Sequence, residues 1–241
     1  MIHSTSRPRA RKRRLLHLLD ASVQAFGQYG FQRCQIADVA REAGVALGTI
    51  YRYAESKVAL FDAAVRHGFG ETSTLETRSL PLADPEPGAT LDFLRATLTR
   101  FYERVTAERL DATSGRLPIG DELELSVGLL YDALARNRGG IRIVDRSARE
   151  WPELAELFFR QVRGPGLAAL EEYLADRVAA GALRPVPDVP AAACQILEMC
   201  AWMGIHRQWT PGMQHVGDGA ARESVLCFTL RTLLPNPGAP R

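Results

Sequence analysis

Apolar residues recur three and four positions apart through most of this chain, and they do so in stripes long enough for helices. Leu15, Leu19, Val23 and Phe26 give one stripe, predicting a helix from about Lys12 to Gly27. Ser56 can cap a later helix that carries Leu60, Phe61, Ala64 and Val65 to about Gly68. Leu91, Leu94, Leu98, Phe101 and Val105 mark another. Leu123, Val127, Leu130 and Leu134 stripe residues 121–136, and Leu125 and Leu129 widen that stripe. Gly139-Gly140 reads as a break, followed by a short helix over 141–150. Residues 153–180 have helical composition, but Gly164-Pro165-Gly166 predicts a kink or break inside them. Leu167, Leu170, Leu174 and Val178 then restore the stripe. Asp188 caps a helix whose residues 191–205 are apolar on nearly every face, so several sides must be covered. Asp218 can cap a last helix that runs through Leu234, with Val225, Phe228 and Thr232 on one side. Residues 80–89, 111–120 and 212–219 read as loops. No strand pattern and no internal repeat interrupts this, so the fold class is all-α.

Residues 35–57, QIADVAREAGVALGTIYRYAESK, stand apart. Ile36, Val39, Ala40 and Ala43 share one helical face, and Gly44 turns the chain immediately afterwards. Val45 tucks back, and Leu47 to Tyr53 can form a second helix with Ile50 inward. Leu47, Gly48, Thr49, Tyr51, Arg52 and Tyr53 are then left to face outward. Glycine permits close backbone approach, while hydroxyls and a guanidinium supply donors for phosphates and base edges. This is the pattern of a helix-turn-helix.

At these positions the chain resembles the TetR/AcrR family of bacterial transcriptional repressors. Leu15, Ala21, Phe26, Gly30, Phe31, Ile36, Val39, Ala40, Ala43-Gly44-Val45, Gly48-Thr49-Ile50-Tyr51, Tyr53, Lys57 and Leu60 carry the likeness. Members usually have Ser or Thr where this chain has Cys34 and Ala46, and an aromatic residue at Ala54. The resemblance implies binding to double-stranded operator DNA through Arg14, Gln35, Ala46, Leu47, Gly48, Thr49, Tyr51, Arg52, Tyr53 and Lys57. The phrases Trp151-Pro-Glu-Leu and Gly181-Ala-Leu-Arg-Pro extend the likeness to an AcrR-like regulatory domain. That domain implies a homodimer through the last two long helices, with Ile196, Leu197, Cys200, Met203, Val225 and Phe228 at the interface. It also implies an apolar pocket for a small hydrophobic ligand, with Phe93, Phe101, Leu129, Trp151, Phe158 and Trp202 as lining candidates.

Charge sharpens the division. The net charge of +2 hides a head over residues 1–57 with ten Lys or Arg against four acids, net +6. The remainder is net −4, with 20 bases and 24 acids. A basic head on an acidic body points to a polyanion partner for the head alone. The expected organisation is a basic arm and helix-turn-helix over 1–57, a ligand-binding and dimerisation domain over 58–241, and a disordered tail from about 235. Residues 1–8, polar and without period, are also expected to be disordered. Four widely spaced cysteines without a CxxC suit the reduced thiols of a cytoplasmic protein. Five scattered histidines give no metal constellation and nothing calls for a cofactor. The longest nearly apolar run is too short to span a bilayer. No nucleophile–base pair is readable, and the resemblance implies a repressor released from its operator by the small hydrophobic ligand. Two rivals remain: an activator of the same fold, and an enzyme in the C-terminal half.

Overall fold

Stripes of leucine and alanine become twelve α-helices among the described residues of the computed structural model, which are 6–112 and 117–235, with side chains described from residue 10 and not over 107–112. The expectations for residues 1–5, for the tail after 235 and for the centre of the 111–120 loop lie outside them. No strand occurs among the described residues; a lone parallel bridge joins Ala54 to Leu82. The helices form two compact units.

The first unit takes residues up to Thr97 together with Asn137–Phe158. It contains α1 (Ser6–Arg33), α2 (Ile36–Glu42), α3 (Leu47–Ile50), α4 (Lys57–Gly68), α5 (Thr72–Glu76), the start of α6 (Ala89–Ala112), α8 (Arg138–Ala148) and α9 (Pro152–Ala155). Packing therefore carries this unit past residue 57, where the helix-turn-helix pattern stops, and adds a segment 80 residues downstream. The first helix is longer than its stripe predicts: it begins at Ser6, so residues 6–8 are helical, and it is interrupted at Gly30, where φ is 77°. That conformation suits glycine alone, and a Cβ there would lie 3.0 Å from the Arg146 carbonyl oxygen. The interruption is met by α8: the Phe31 N–H donates to Ser147 Oγ at 3.0 Å, and Arg146 Nε donates to the Gln28 carbonyl at 2.9 Å.

The helix break expected at Gly139-Gly140 falls instead at Asn137, between α7 (Ile119–Arg136) and α8. Both glycines lie in α8, where they allow it to close on α4. A Cβ on Gly68 would meet the Gly140 nitrogen at 2.7 Å, and one on Gly140 would meet the Phe69 ring at 2.4 Å. Ile141, Ile143, Val144 and Ala148 of α8 are buried. Phe26, Phe31, Phe61 and Trp151 complete an aromatic core, with Phe31 and Phe61 centroids 4.7 Å apart and Phe31 and Trp151 5.6 Å apart.

The second unit holds the rest of α6, α7 (Ile119–Arg136), α10 (Gly164–Ala179), α11 (Val189–Gly204) and α12 (Asp218–Leu233). Its core includes Leu98, Leu123, Val127, Leu130, Leu170, Leu174, Ile196, Cys200 and Val225. The expected break near Pro165 takes another form. Residues Glu156–Arg163 widen into a π-helical stretch that runs directly into α10, with Pro165 near the junction. Asp188 caps α11 by accepting from the Ala191 N–H at 2.7 Å. Asp218 is not the N-cap of α12, which is Gly217. Its carboxylate instead binds Arg207, a buried guanidinium that also donates to the Met203 carbonyl at 3.1 Å and to the Val216 carbonyl. The buried Glu122 of α7 accepts from Arg177 Nε at 2.7 Å and Tyr173 OH at 3.1 Å, tying α7 to α10.

Candidate nucleic-acid interface

Position 34 in this chain holds Cys34 rather than a helix-capping hydroxyl, yet α2 starts cleanly two residues later. Gln35 occupies the N-cap in extended conformation, and its N–H donates to Asp38 Oδ2 at 2.8 Å. A carboxylate three residues into the helix thus reaches back to its start. That bond, aided by Arg41 Nη2 at 2.5 Å and opposed by partial desolvation, holds the Asp38 carboxyl below its ordinary range. Cys34 is fully buried beside it, and burial pushes its thiol up to about 12. It is a packed, unreactive group.

The turn follows the sequence closely. Gly44 has φ 63°, and the Val45 N–H donates to the Ala40 carbonyl at 3.0 Å. His17 Nε2 lies 2.9 Å from the Ala43 carbonyl, fastening α1 to the turn. The recognition helix α3 is only Leu47–Ile50, with turns continuing from it. Ile50 is buried and anchors it. Leu47 is 45% exposed and Tyr51 48%, Arg52, Ala46 and Gly48 are exposed, and Thr49 is half-buried. Nothing lies within 4 Å of a Cβ built on Gly48, so the backbone there is open to close approach.

Two candidate residues differ from expectation. Tyr53 is only 7% exposed and does not project with Tyr51 and Arg52, because regular helix ends at Ile50 and the chain turns inward. Lys57, half-buried, donates from Nζ to the Gln32 carbonyl at 3.0 Å and sits 4.9 Å over the Phe31 ring. Gln35 and Arg14 are exposed. Arg14 joins Arg11, Arg52, Tyr53 and Pro81 around an open basic notch. Arg11 and Pro81 were missed as site residues by the sequence pattern. Arg11 belongs to the basic arm, beside Lys12, Arg13 and Arg14; Pro81 has no local signal, since it arrives from the loop after α5.

In the second unit, a groove of about 430 Å³ runs between α11 and α12, lined by Ile196, Met199, Phe228 and Thr232 among others. Of the expected interface residues, Ile196, Cys200 and Val225 are buried within the chain itself, Leu197 and Met203 are half-buried, and Phe228 is 66% exposed. The expected ligand-pocket residues fall in both units. Phe93, Trp151 and Phe158 belong to the first, where Trp151 packs on Phe31 and Phe93 lies under the Arg66 guanidinium at 4.3 Å. Phe101, Leu129 and Trp202 belong to the second, where Trp202 is 39% exposed. Trp151 is core to the head, and Trp202 faces outward.

The profile of the bacterial regulatory proteins of the tetR family matches residues 18–64, which span α1 to α4. That of the AefR-like transcriptional repressor C-terminal domain matches residues 136–226. The chain belongs to the TetR family. It is 35% identical over 95 residues to the HTH-type transcriptional repressor KstR of Mycolicibacterium smegmatis, covering 39% of this chain and 46% of that repressor. Over the same length it is 34% identical to KstR of Mycobacterium tuberculosis, covering 43% of it. The match thus spans less than half of these relatives. Among solved TetR-family structures, the ketosteroid transcriptional regulator KstR2 of Mycobacterium tuberculosis shares the fold. Its TM-score is 0.51 at 15% identity over 97% of this chain and 98% of that one. A tetR-family regulatory protein from Rhodococcus RHA1 aligns with TM-score 0.50 at 16% identity, over 91% and 96%. No helix among the described residues is long and apolar enough to cross a membrane.

Proposed function

We propose that this TetR-family chain is a homodimeric transcriptional repressor that binds operator DNA through α3 and is released by a small hydrophobic ligand. One observation carries the reading: Ile50 pins a short helix so that Leu47, Gly48, Tyr51 and Arg52 project from a head whose net charge is +6. Such a surface reads base edges with its side chains and takes affinity from phosphates through its cations. The basic notch of Arg11, Arg14 and Arg52 beside α3 suits a backbone phosphate. Repression is favoured over activation by the AefR-like repressor match over residues 136–226.

Dimerisation is supported by α11 and α12. Phe228, Trp202, Leu197 and Met203 leave an apolar surface that water does not favour, and a second copy would cover it. Two heads on a two-fold axis would read half-sites about 34 Å apart. The ligand's class rests on the apolar residues half-buried in the second unit, Phe101 and Leu129 among them. A ligand would release DNA only to the extent that it prefers the state that cannot bind the operator.

Selection from random duplex DNA tests the core of this reading. A near-palindromic sequence should be enriched, and its affinity should fall steeply with salt. Enrichment of no sequence at all would sink it.

A further inference from the structure

The loop after α5 touches the junction between the recognition helix and α4. At Leu82 it pairs with Ala54: the Leu82 N–H donates to the Tyr53 carbonyl at 2.8 Å, and the Glu55 N–H donates to the Leu82 carbonyl at 3.0 Å. The Leu82 side chain is 3% exposed, while Pro81 and Ala83 on either side are exposed. Two residues on, the Asp84 carboxylate accepts from Ser56 Oγ. That hydroxyl itself accepts from the Val58 and Ala59 N–H groups at 3.0 and 3.2 Å, capping α4. Pro81 meanwhile forms one wall of the basic notch with Arg11, Arg14 and Arg52.

A single helical turn does not hold its own orientation, because forming a first turn fixes many torsions for few hydrogen bonds. The start of α3 has only the uncapped Ala46. Its far side must be held from outside, and the Tyr53 carbonyl and Glu55 N–H are held by residue 82. We infer that residues 80–84 form a strap that sets the pose of the recognition helix on DNA, with Leu82 and Asp84 as positioning residues that touch no DNA themselves. This rests on the DNA-binding reading and assigns part of its specificity to a loop outside the helix-turn-helix. The strap is anchored beyond its own span as well. It leads into α6, whose Thr90 hydroxyl donates to Asp62 Oδ1 of α4 at 2.9 Å, and Arg66 Nε holds the other Asp62 oxygen at 2.8 Å. A displacement of the start of α6 therefore reaches the turn after α3 through the backbone pairing of Leu82 and the Asp84 clasp on Ser56.

The test compares binding of the full-length protein to its selected duplex and to a scrambled duplex, by fluorescence anisotropy. Leu82→Pro removes the N–H that the Tyr53 carbonyl accepts; Leu82→Ile keeps it; Asp84→Ala removes the clasp on Ser56. Leu82→Pro should weaken the selected duplex by about tenfold, the scale of one lost base-edge contact, and the scrambled duplex by less than about twofold. Asp84→Ala should lower the same ratio by about threefold, as one exposed hydrogen bond is lost. Leu82→Ile should restore wild-type discrimination. Equal loss on both duplexes, or wild-type discrimination in Leu82→Pro, overturns the strap. Where Leu82→Pro loses helical circular dichroism, Asp84→Ala decides, and unchanged discrimination there overturns it. A wild-type protein that enriches no sequence fails at the earlier step, and the DNA-binding reading falls with the strap.

Discussion

Along α3 and the turn after it the exposed residues include Leu47, Gly48, Tyr51 and Arg52; along α11 and α12 they include Trp202 and Phe228, with Leu197 and Met203 half-covered. The first surface mixes an exposed leucine with an open glycine backbone, a phenol hydroxyl and a guanidinium, groups that can meet both base edges and phosphates. The second is large and apolar, and each square ångström left wet forgoes about 25 cal/mol. Exposure thus means different things in the two places. The α3 face is stable when empty and suits a partner that comes and goes. The α11–α12 face suits a cover that stays, which is the part the proposed second copy would play.

Breaking the permanent face should have the largest effect. Phe228→Arg places a charge on a side chain 66% exposed in the protomer, so the protomer should keep its fold. In a dimer that charge would be buried unpaired, at several kcal/mol. The dimer dissociation constant should rise by about a thousandfold or more, measured by sedimentation velocity, and operator affinity should collapse with it. A variant that stays dimeric at micromolar concentration would place the interface elsewhere.

The α3 face, by contrast, depends on what supports it from beneath. In Gly68→Ala the new methyl would meet the Gly140 backbone at 2.7 Å, and backbone yields less readily than a flexible side chain. Overpacking of this kind costs about 1–3 kcal/mol. The melting temperature of the first unit should drop while the dimer constant holds, since Gly68 lies in the unit that does not contain α11 and α12.

Gly68 also shows where sequence reading stops. The stripe through Leu60, Phe61, Ala64 and Val65 is local, and it located α4 well. Gly139-Gly140 is equally local, but its meaning is not: paired glycines signal a break unless another backbone needs the room, and that backbone belongs to a residue about 70 positions earlier. The packing of Trp151 is hidden for a similar reason, because its partners Phe31 and Phe61 lie about 90 or more residues upstream. The outward set on α3 was legible except for Tyr53, which a continuous helix would expose and a four-residue helix does not. The capping of α2 has a local signal, Gln35-x-x-Asp38, in which the Asp38 carboxylate rather than a hydroxyl at position 34 meets the helix start. The strap had none, since hydrogen bonds from Leu82 to residues 53 and 55 leave no periodic trace.

Within the α3 face, two cations should separate. Arg52 is exposed beside the notch, whereas Lys57 is engaged by the Gln32 carbonyl and the Phe31 ring. Arg52→Ala should weaken every duplex and lower the salt slope by about one, as a lost phosphate contact does. Lys57→Ala should change that slope less. Anisotropy titrations across a salt series distinguish them, and equal slopes would mean that Lys57 leaves Gln32 to meet DNA.

The smallest effect concerns Asp38, which supports the reading face without lying on it. Its carboxyl is held below the ordinary 3.8, chiefly by the Gln35 N–H and then by Arg41. A group lowered on folding stabilises the folded state only when ionised. That contribution is complete above 3.8 and is lost as pH falls through the lower, folded value. Asp38→Ala should therefore destabilise the first unit by about 1 kcal/mol near neutrality, the usual size of a lost helix cap. The gap from wild type should narrow below about pH 4, as the wild-type carboxyl is neutralised too. Thermal melts of both proteins from about pH 7 to about pH 2 measure this directly. A gap that stayed constant to the acid end would mean that Asp38 acts through packing rather than charge. The dimer constant of Asp38→Ala should match wild type throughout, because the apolar α11–α12 face takes nothing from this carboxylate.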